Sequence, residues 1–142
     1  MTRFWQTLAD HLSGGRRVFL ALVAENTRHS PGTVGARLLV AENGETVGTI
    51  GGGVMERDVV ARARRSLAED ERLAELRTLH HRKSGEGERS GMICAGSQTN
   101  LTYLCRPEVE AETAAELAAL AAEGRSATLR IDPRGMSLTE EA

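Results

Sequence analysis

Residues 17–26, Arg17-Val18-Phe19-Leu20-Ala21-Leu22-Val23-Ala24-Glu25-Asn26, decide how the rest of the chain must be arranged. The apolar stretch from Val18 to Ala24 has strand length and no polar interruption. A short run of this kind reads as a strand covered on both faces, hence central in its sheet. Upstream, Phe4, Trp5, Leu8, Ala9 and Leu12 fall at helical spacing over residues 3–13, and Gly14-Gly15 ends that helix. Downstream, Thr27 to Thr33 is turn-rich and contains Ser30-Pro31-Gly32. Gly35 to Ala41 reads as a second strand, and Thr46 to Ile50 as a third. The Asn43-Gly44 pair between them suits a type I′ hairpin turn.

Gly51-Gly52-Gly53 follows, then a helix over residues 54–69 with Met55, Val59, Ala63 and Leu67 on one face. Leu73 to Leu79 reads as a strand, and residues 80–91, polar and glycine-rich, as a mobile loop. Met92 to Gly96 is a short apolar element, and Thr99 to Cys105 alternates as a strand does. Val109 to Glu123 is an Ala/Glu/Leu helix stopped by Gly124; Ser126 to Ile131 is a last strand, and Asp132-Pro133 begins a tail. This order predicts an α+β or mixed α/β fold: a single compact domain whose mixed sheet is flanked by helices.

With 142 residues the chain is one domain. A chain of this size buries roughly 68–70% of its extended surface, enough for a core without staples. Its net charge of −2 gives no field that would draw nucleic acid or a membrane surface. The four aromatic residues, Phe4, Trp5, Phe19 and Tyr103, are too few for a base-stacking platform. Two cysteines, Cys94 and Cys105, exclude a disulfide scaffold and a CxxC metal site. No apolar run approaches a signal peptide or a membrane span, so the expected compartment is the cytoplasm.

Eleven of the fifteen glycines lie in two clusters, 32–53 and 85–96, where backbone must turn sharply or come close to something. The strand–Gly51-Gly52-Gly53–helix junction has two readings: a tight turn, or a helix start whose free amides meet an anion. Glu56 interacts favourably with the helix dipole there. Cys94, flanked by small residues, is either a buried small hydrophobe or an accessible thiol for a soft metal or for sulfur. Cys105, inside a strand, reads as structural. Ser30-Pro31-Gly32-Thr33 is a turn that could wrap a ligand with its hydroxyls, and Arg37 beside it is the best candidate for reading an anion.

Three blocks in order resemble the N-terminal domain of the XdhC/CoxI family, the xanthine dehydrogenase accessory proteins. They are Ser30-Pro31-Gly32-Thr33-Val34-Gly35-Ala36-Arg37-Leu38-Leu39-Val40, Gly48-Thr49-Ile50-Gly51-Gly52-Gly53-Val54-Met55-Glu56 and Gly91-Met92-Ile93-Cys94-Ala95-Gly96. The resemblance implies a molybdenum-cofactor (molybdopterin) chaperone that assists cofactor maturation and insertion. Its implied client is a xanthine-dehydrogenase-type molybdoenzyme, with a cysteine desulfurase as a further candidate partner; the oligomeric state stays open, a homodimer among the options. It implies that Gly51, Gly52 and Gly53 contact the pterin phosphate or edge, and that Glu56 orders the helix start. Cys94, beside Gly96, then faces the molybdenum or carries sulfur, while Ser30 and Arg37 close the site.

Two positions depart from the family pattern: Ala95 stands where Gly is usual, and Gly32 where Arg is common. Family members continue into a Rossmann-like domain. The expected organisation here is the first domain over 1–125, then a strand and tail over 126–142 leading to an absent second domain. Two other functional classes stay open: a sulfur-transfer or redox enzyme using Cys94, and a module for interaction or dimerisation.

Overall fold

The structure, a computed structural model, describes residues 2–26, 35–69, 74–80 and 97–140. Val18–Asn26 forms strand β1, and both of its faces are covered. Val18 and Leu20 face one core with Phe4, Leu8 and Leu12 of helix α1 (Thr2–Ser13) and Ala114 and Ala118 of helix α3 (Pro107–Ala122). Phe19, Ala21 and Val23 face a second core with Val59, Ala63 and Leu67 of helix α2 (Gly53–Glu69). Strand side chains alternate, so a strand between two helical layers must be apolar at every position. The uninterrupted run at 18–24 has that cause.

The remaining strands of this sheet are β2 (Arg37–Ala41), β3 (Thr46–Gly48), β4 (Glu75–His80) and β5 (Ser97–Cys105), in the spatial order β3-β2-β1-β5-β4. Every ladder is antiparallel, which corrects the expectation of a mixed sheet. The reason is topological. β3 and β4 run in the same direction but occupy opposite edges, and α2 carries the chain between them across one face of the sheet. Parallel strands therefore never become neighbours. The α+β layering itself is as expected: α1 and α3 on one face, α2 on the other.

The β2–β3 hairpin differs in detail from the type I′ expectation. Ala41 N donates to Glu45 O at 2.8 Å and Gly44 N to Ala41 O at 2.9 Å, which leaves a three-residue loop. Gly44 has φ 96°, the geometry of a type I turn closed by a left-handed residue. Helix α3 begins at Pro107, two residues earlier than periodicity suggests, because proline at the first helical position surrenders no hydrogen bond. The Tyr103 hydroxyl donates to Glu110 Oε2 at 3.0 Å, and Glu110 Oε1 accepts Arg106 N at 2.8 Å, so one buried carboxylate ties β5 to the start of α3.

The residues after Asp132, expected to be a tail, form a strand. β6 (Ala127–Asp132) and β7 (Gly135–Glu140) make a separate hairpin turning at Pro133-Arg134. Arg134 N donates to Asp132 Oδ1 at 2.8 Å and steadies that turn. Met136 is buried in the core under α1 and α3, with Leu129 and Ile131 packed against it. The hairpin is thus built into the same core as β1.

Candidate functional site

The glycine-rich junction begins where β3 ends. Gly48 has φ 89°, and a Cβ there would lie 2.2 Å from Arg37 O and 3.2 Å from Phe4 Cε2. Thr49 N donates to that same Arg37 carbonyl at 2.9 Å. Gly51, Gly52 and Gly53 follow with φ values of 122°, 76° and 73°, a region that only glycine enters without cost. Between them, Ile50 is fully buried in the core beneath α2 and anchors the turn to the sheet.

Glu56, in the first turn of α2, reaches back into this junction. Its Oε1 accepts Ile50 N at 2.9 Å and Gly52 N at 3.0 Å, and also the Thr49 hydroxyl. Thr49 Oγ1 in turn accepts Gly51 N at 3.1 Å. The amides of residues 50, 51 and 52 are all engaged within the chain. The anion that the glycine pattern anticipates is therefore supplied by Glu56 itself. Desolvation pushes the Glu56 carboxyl up, but the hydrogen bonds from Thr49, Ile50 and Gly52 outweigh it and hold its pKa below the ordinary carboxylate value. Glu56 thus ties the first turn of α2 to the junction before it.

A polar row on β5 completes the junction, and sequence reasoning missed it. Gln98, Asn100 and Thr102 are all buried and share the sheet face of Leu104, the face under α2. Gln98 Nε2 donates to Ile50 O at 2.9 Å and to Asn100 Oδ1 at 2.9 Å. In the sequence these residues alternate with Leu101, Tyr103 and Cys105, a pattern that a half-buried strand with one wet face shares. The available signal was that a strand beside β1 has a helix over each face.

Arg37 is placed differently from its expected role. Its guanidinium carbon lies 4.9 Å from the Trp5 ring centroid and 5.5 Å from that of Phe4, and Nη1 donates to Gly35 O at 3.0 Å. These contacts put the side chain on the α1 face, whereas the glycine turn opens into α2 on the other face. Burial there lowers the guanidinium pKa from its ordinary value. Ser30, Cys94 and Gly96 lie outside the described residues. Cys105 is buried in β5, in keeping with its structural reading.

Among the described residues no group of three or more His, Cys, Asp or Glu side chains could hold a metal ion. No described helix is long and apolar enough to cross a membrane. A groove of about 850 Å³ lined by Arg17, Glu42, Glu108 and Glu112 lies at the opposite end of the sheet from the glycine turn.

Residues 11–79 match the family model described as the XdhC and CoxI family. A crystal structure described as a xanthine dehydrogenase from Bacillus halodurans aligns with a TM-score of 0.71 at 20% identity. The alignment covers 99% of this chain and 42% of that one, so the chain shares its fold and spans less than half its length. No curated protein matches the chain.

Proposed function

We propose, from the match of residues 11–79 to the model of the XdhC and CoxI family, that the protein is an accessory protein of xanthine-dehydrogenase-type molybdoenzymes. Its task in this reading is to hold the molybdenum cofactor as cargo and deliver it to the client enzyme in the cytoplasm. The observation that carries the reading is the hydrogen bond from Gln98 to Ile50 O, which fastens the start of β5 to the Gly51–Gly53 turn. Cys94 precedes Gln98 by four residues, and four residues span at most about 14 Å when fully extended. The family's glycine block is thereby fastened to the strand that follows the cysteine block in sequence.

In this reading Cys94 offers a thiolate toward the molybdenum or its sulfur, which is the ligand chemistry that a soft metal centre prefers. The turn offers bare backbone, which lets a flat heterocycle come close. Ser30, Gly96 and Arg37 remain in the proposal as flanking residues, Arg37 from the opposite face. Glu56 holds the turn rigid and does not touch the cargo.

The test is to purify the chain and its Cys94→Ser variant from cells that make molybdenum cofactor, and to measure molybdenum and pterin per chain. The variant is expected to lose most of both. Equal contents in the two proteins would remove Cys94 from the site. Multiple turnovers of sulfur transfer by the isolated chain would favour an enzyme over a carrier.

A further inference from the structure

Helix α2 meets the sheet through Met55, Val59, Ala63 and Leu67 and turns its opposite face outward. At about 100° per residue, Arg57, Ala61, Arg64, Arg65 and Ala68 fall on that outer face, and all five are exposed. Exposed Asp58 and Glu69 lie about a quarter-turn to one side. Helix α3 presents the reverse charge. Its exposed outer face carries Glu108, Glu112 and Glu116, with Ala115 and Ala119 alongside, and no basic residue lies anywhere from Pro107 to Ala122.

Like charges four residues apart destabilise a helix. Glu108 gains from the helix dipole, but Glu112 and Glu116 lie beyond the first turn. Among the described residues, no ion pair involves Glu108, Glu112, Glu116, Arg57, Arg64 or Arg65. The two stripes match in spacing. Seven residues from Arg57 to Arg64 rise about 10.5 Å, and eight from Glu108 to Glu116 about 12 Å. The alanines keep both faces low, so two such helices can approach at about 8 Å between axes. Beside Glu108 and Glu112 runs the groove of about 850 Å³, floored by Leu12, Ala111 and Ala115, where the apolar stems of arginines can lie.

α2 and α3 lie on opposite faces of the sheet, so one copy cannot bring its own stripes together. We propose that the outer face of α3 docks a second copy of this chain through the outer face of its α2, glutamate row against arginine row. The contact is head-to-tail: every copy added leaves one α2 and one α3 free, so association continues past two copies. It holds whether or not the chain carries cofactor.

The experiment follows the whole chain by sedimentation velocity over a range of chain concentrations. Mass is expected to grow beyond two copies at about 0.01 M salt, where charges act over about 30 Å, and to fall back to one copy at about 1 M, where they act over about 3 Å. Arg64→Glu and Glu112→Arg are each expected to weaken association about five- to ten-fold, because a reversed charge replaces an attraction by a repulsion. The two move the net charge of −2 in opposite directions, so a loss common to both is a loss of the contact. Both sites are exposed, and the thermal midpoints should stay close to that of the original chain. An equimolar mixture of the two variants should associate again, because the intact α2 of one meets the intact α3 of the other. A single copy at every concentration in low salt overturns the proposal. So does growth that stops at two copies, association that either reversal leaves unchanged, or a mixture that stays apart.

Discussion

Replacing Gly48 by alanine tests whether the close approach of β3 to Arg37 holds the junction in shape. The new Cβ would lie 2.2 Å from a backbone oxygen, far inside van der Waals contact, and the neighbour is not a flexible side-chain tip that could swing away. The Arg37 carbonyl or the end of β3 must move by more than an ångström. Overpacking of that kind costs about 1–3 kcal/mol. Holding alanine at φ 89° adds about 1–2 kcal/mol. The Thr49 N–Arg37 O bond uses the displaced carbonyl, and its loss adds about 1 kcal/mol. Together these come to about 3–6 kcal/mol, against a total stability of about 5–15 kcal/mol for a domain.

Gly52→Ala is the matched comparison. It has a similar φ of 76° but nothing within 4 Å of its Cβ, so only the backbone cost of about 1–2 kcal/mol applies. In thermal unfolding, where about 3 °C corresponds to 1 kcal/mol at this size, Gly48→Ala should lose about 10–20 °C and Gly52→Ala about 3–6 °C. Denaturant midpoints at unchanged slope should rank the two in the same order. Losses equal to within about 1 kcal/mol would refute the steric reasoning.

Two further outcomes can be measured on the same preparation. The Glu56 carboxyl has a folded pKa below its ordinary value of 4.5, so its stabilising contribution is complete above that value and is lost as pH falls through the folded pKa. Glu56→Gln should therefore cost about 1–2 kcal/mol at neutral pH and flatten the decline in stability below about pH 4.5; an unchanged acid limb would show that the carboxylate is not what the turn uses. Tyr103→Phe leaves Glu110 Oε2 buried without the Tyr103 hydroxyl and should cost about 1–3 kcal/mol in urea unfolding. A loss under about 0.5 kcal/mol would mean that the bond is not maintained in solution.

The parts of the fold that could be read from the sequence are those where one residue type answers one requirement. Val18 to Ala24 admits no polar residue because helices cover both faces of β1, and that fact alone makes the strand central. Met55, Val59, Ala63 and Leu67 recur at the helical period because α2 meets the sheet on one side only. Strand direction was not legible, because periodicity carries no information on whether a crossover ends beside its starting strand or at the far edge. β7 was missed because Met136 and Leu138 alternate in a segment of only six residues. The burial of Gln98 and Asn100 was not legible, because a buried polar row and a solvated strand face have the same pattern. What tells them apart is the amide geometry, not the spacing.

The glycine block shows where pattern and chemistry part company. Three glycines before a helix look like an anion cradle, and the geometry is that of one, but Glu56 fills it. A phosphate brought to the same amides would meet that carboxylate at about 4 Å, a repulsion of about 4 kcal/mol per pair of unit charges at an effective dielectric of 20. On the carrier reading, an anionic end of the cargo would be directed away from the turn, and the neutral edge of a heterocycle toward it. The Glu56→Gln variant separates the two arrangements without further construction. If the turn met a phosphate, removing the negative charge would tighten cargo binding. If the turn meets a neutral edge, binding weakens only as far as the turn loosens. The bonds from Ile50 N and Gly52 N to Glu56 favour the second outcome, because amides already given to a carboxylate are not open to a dianion.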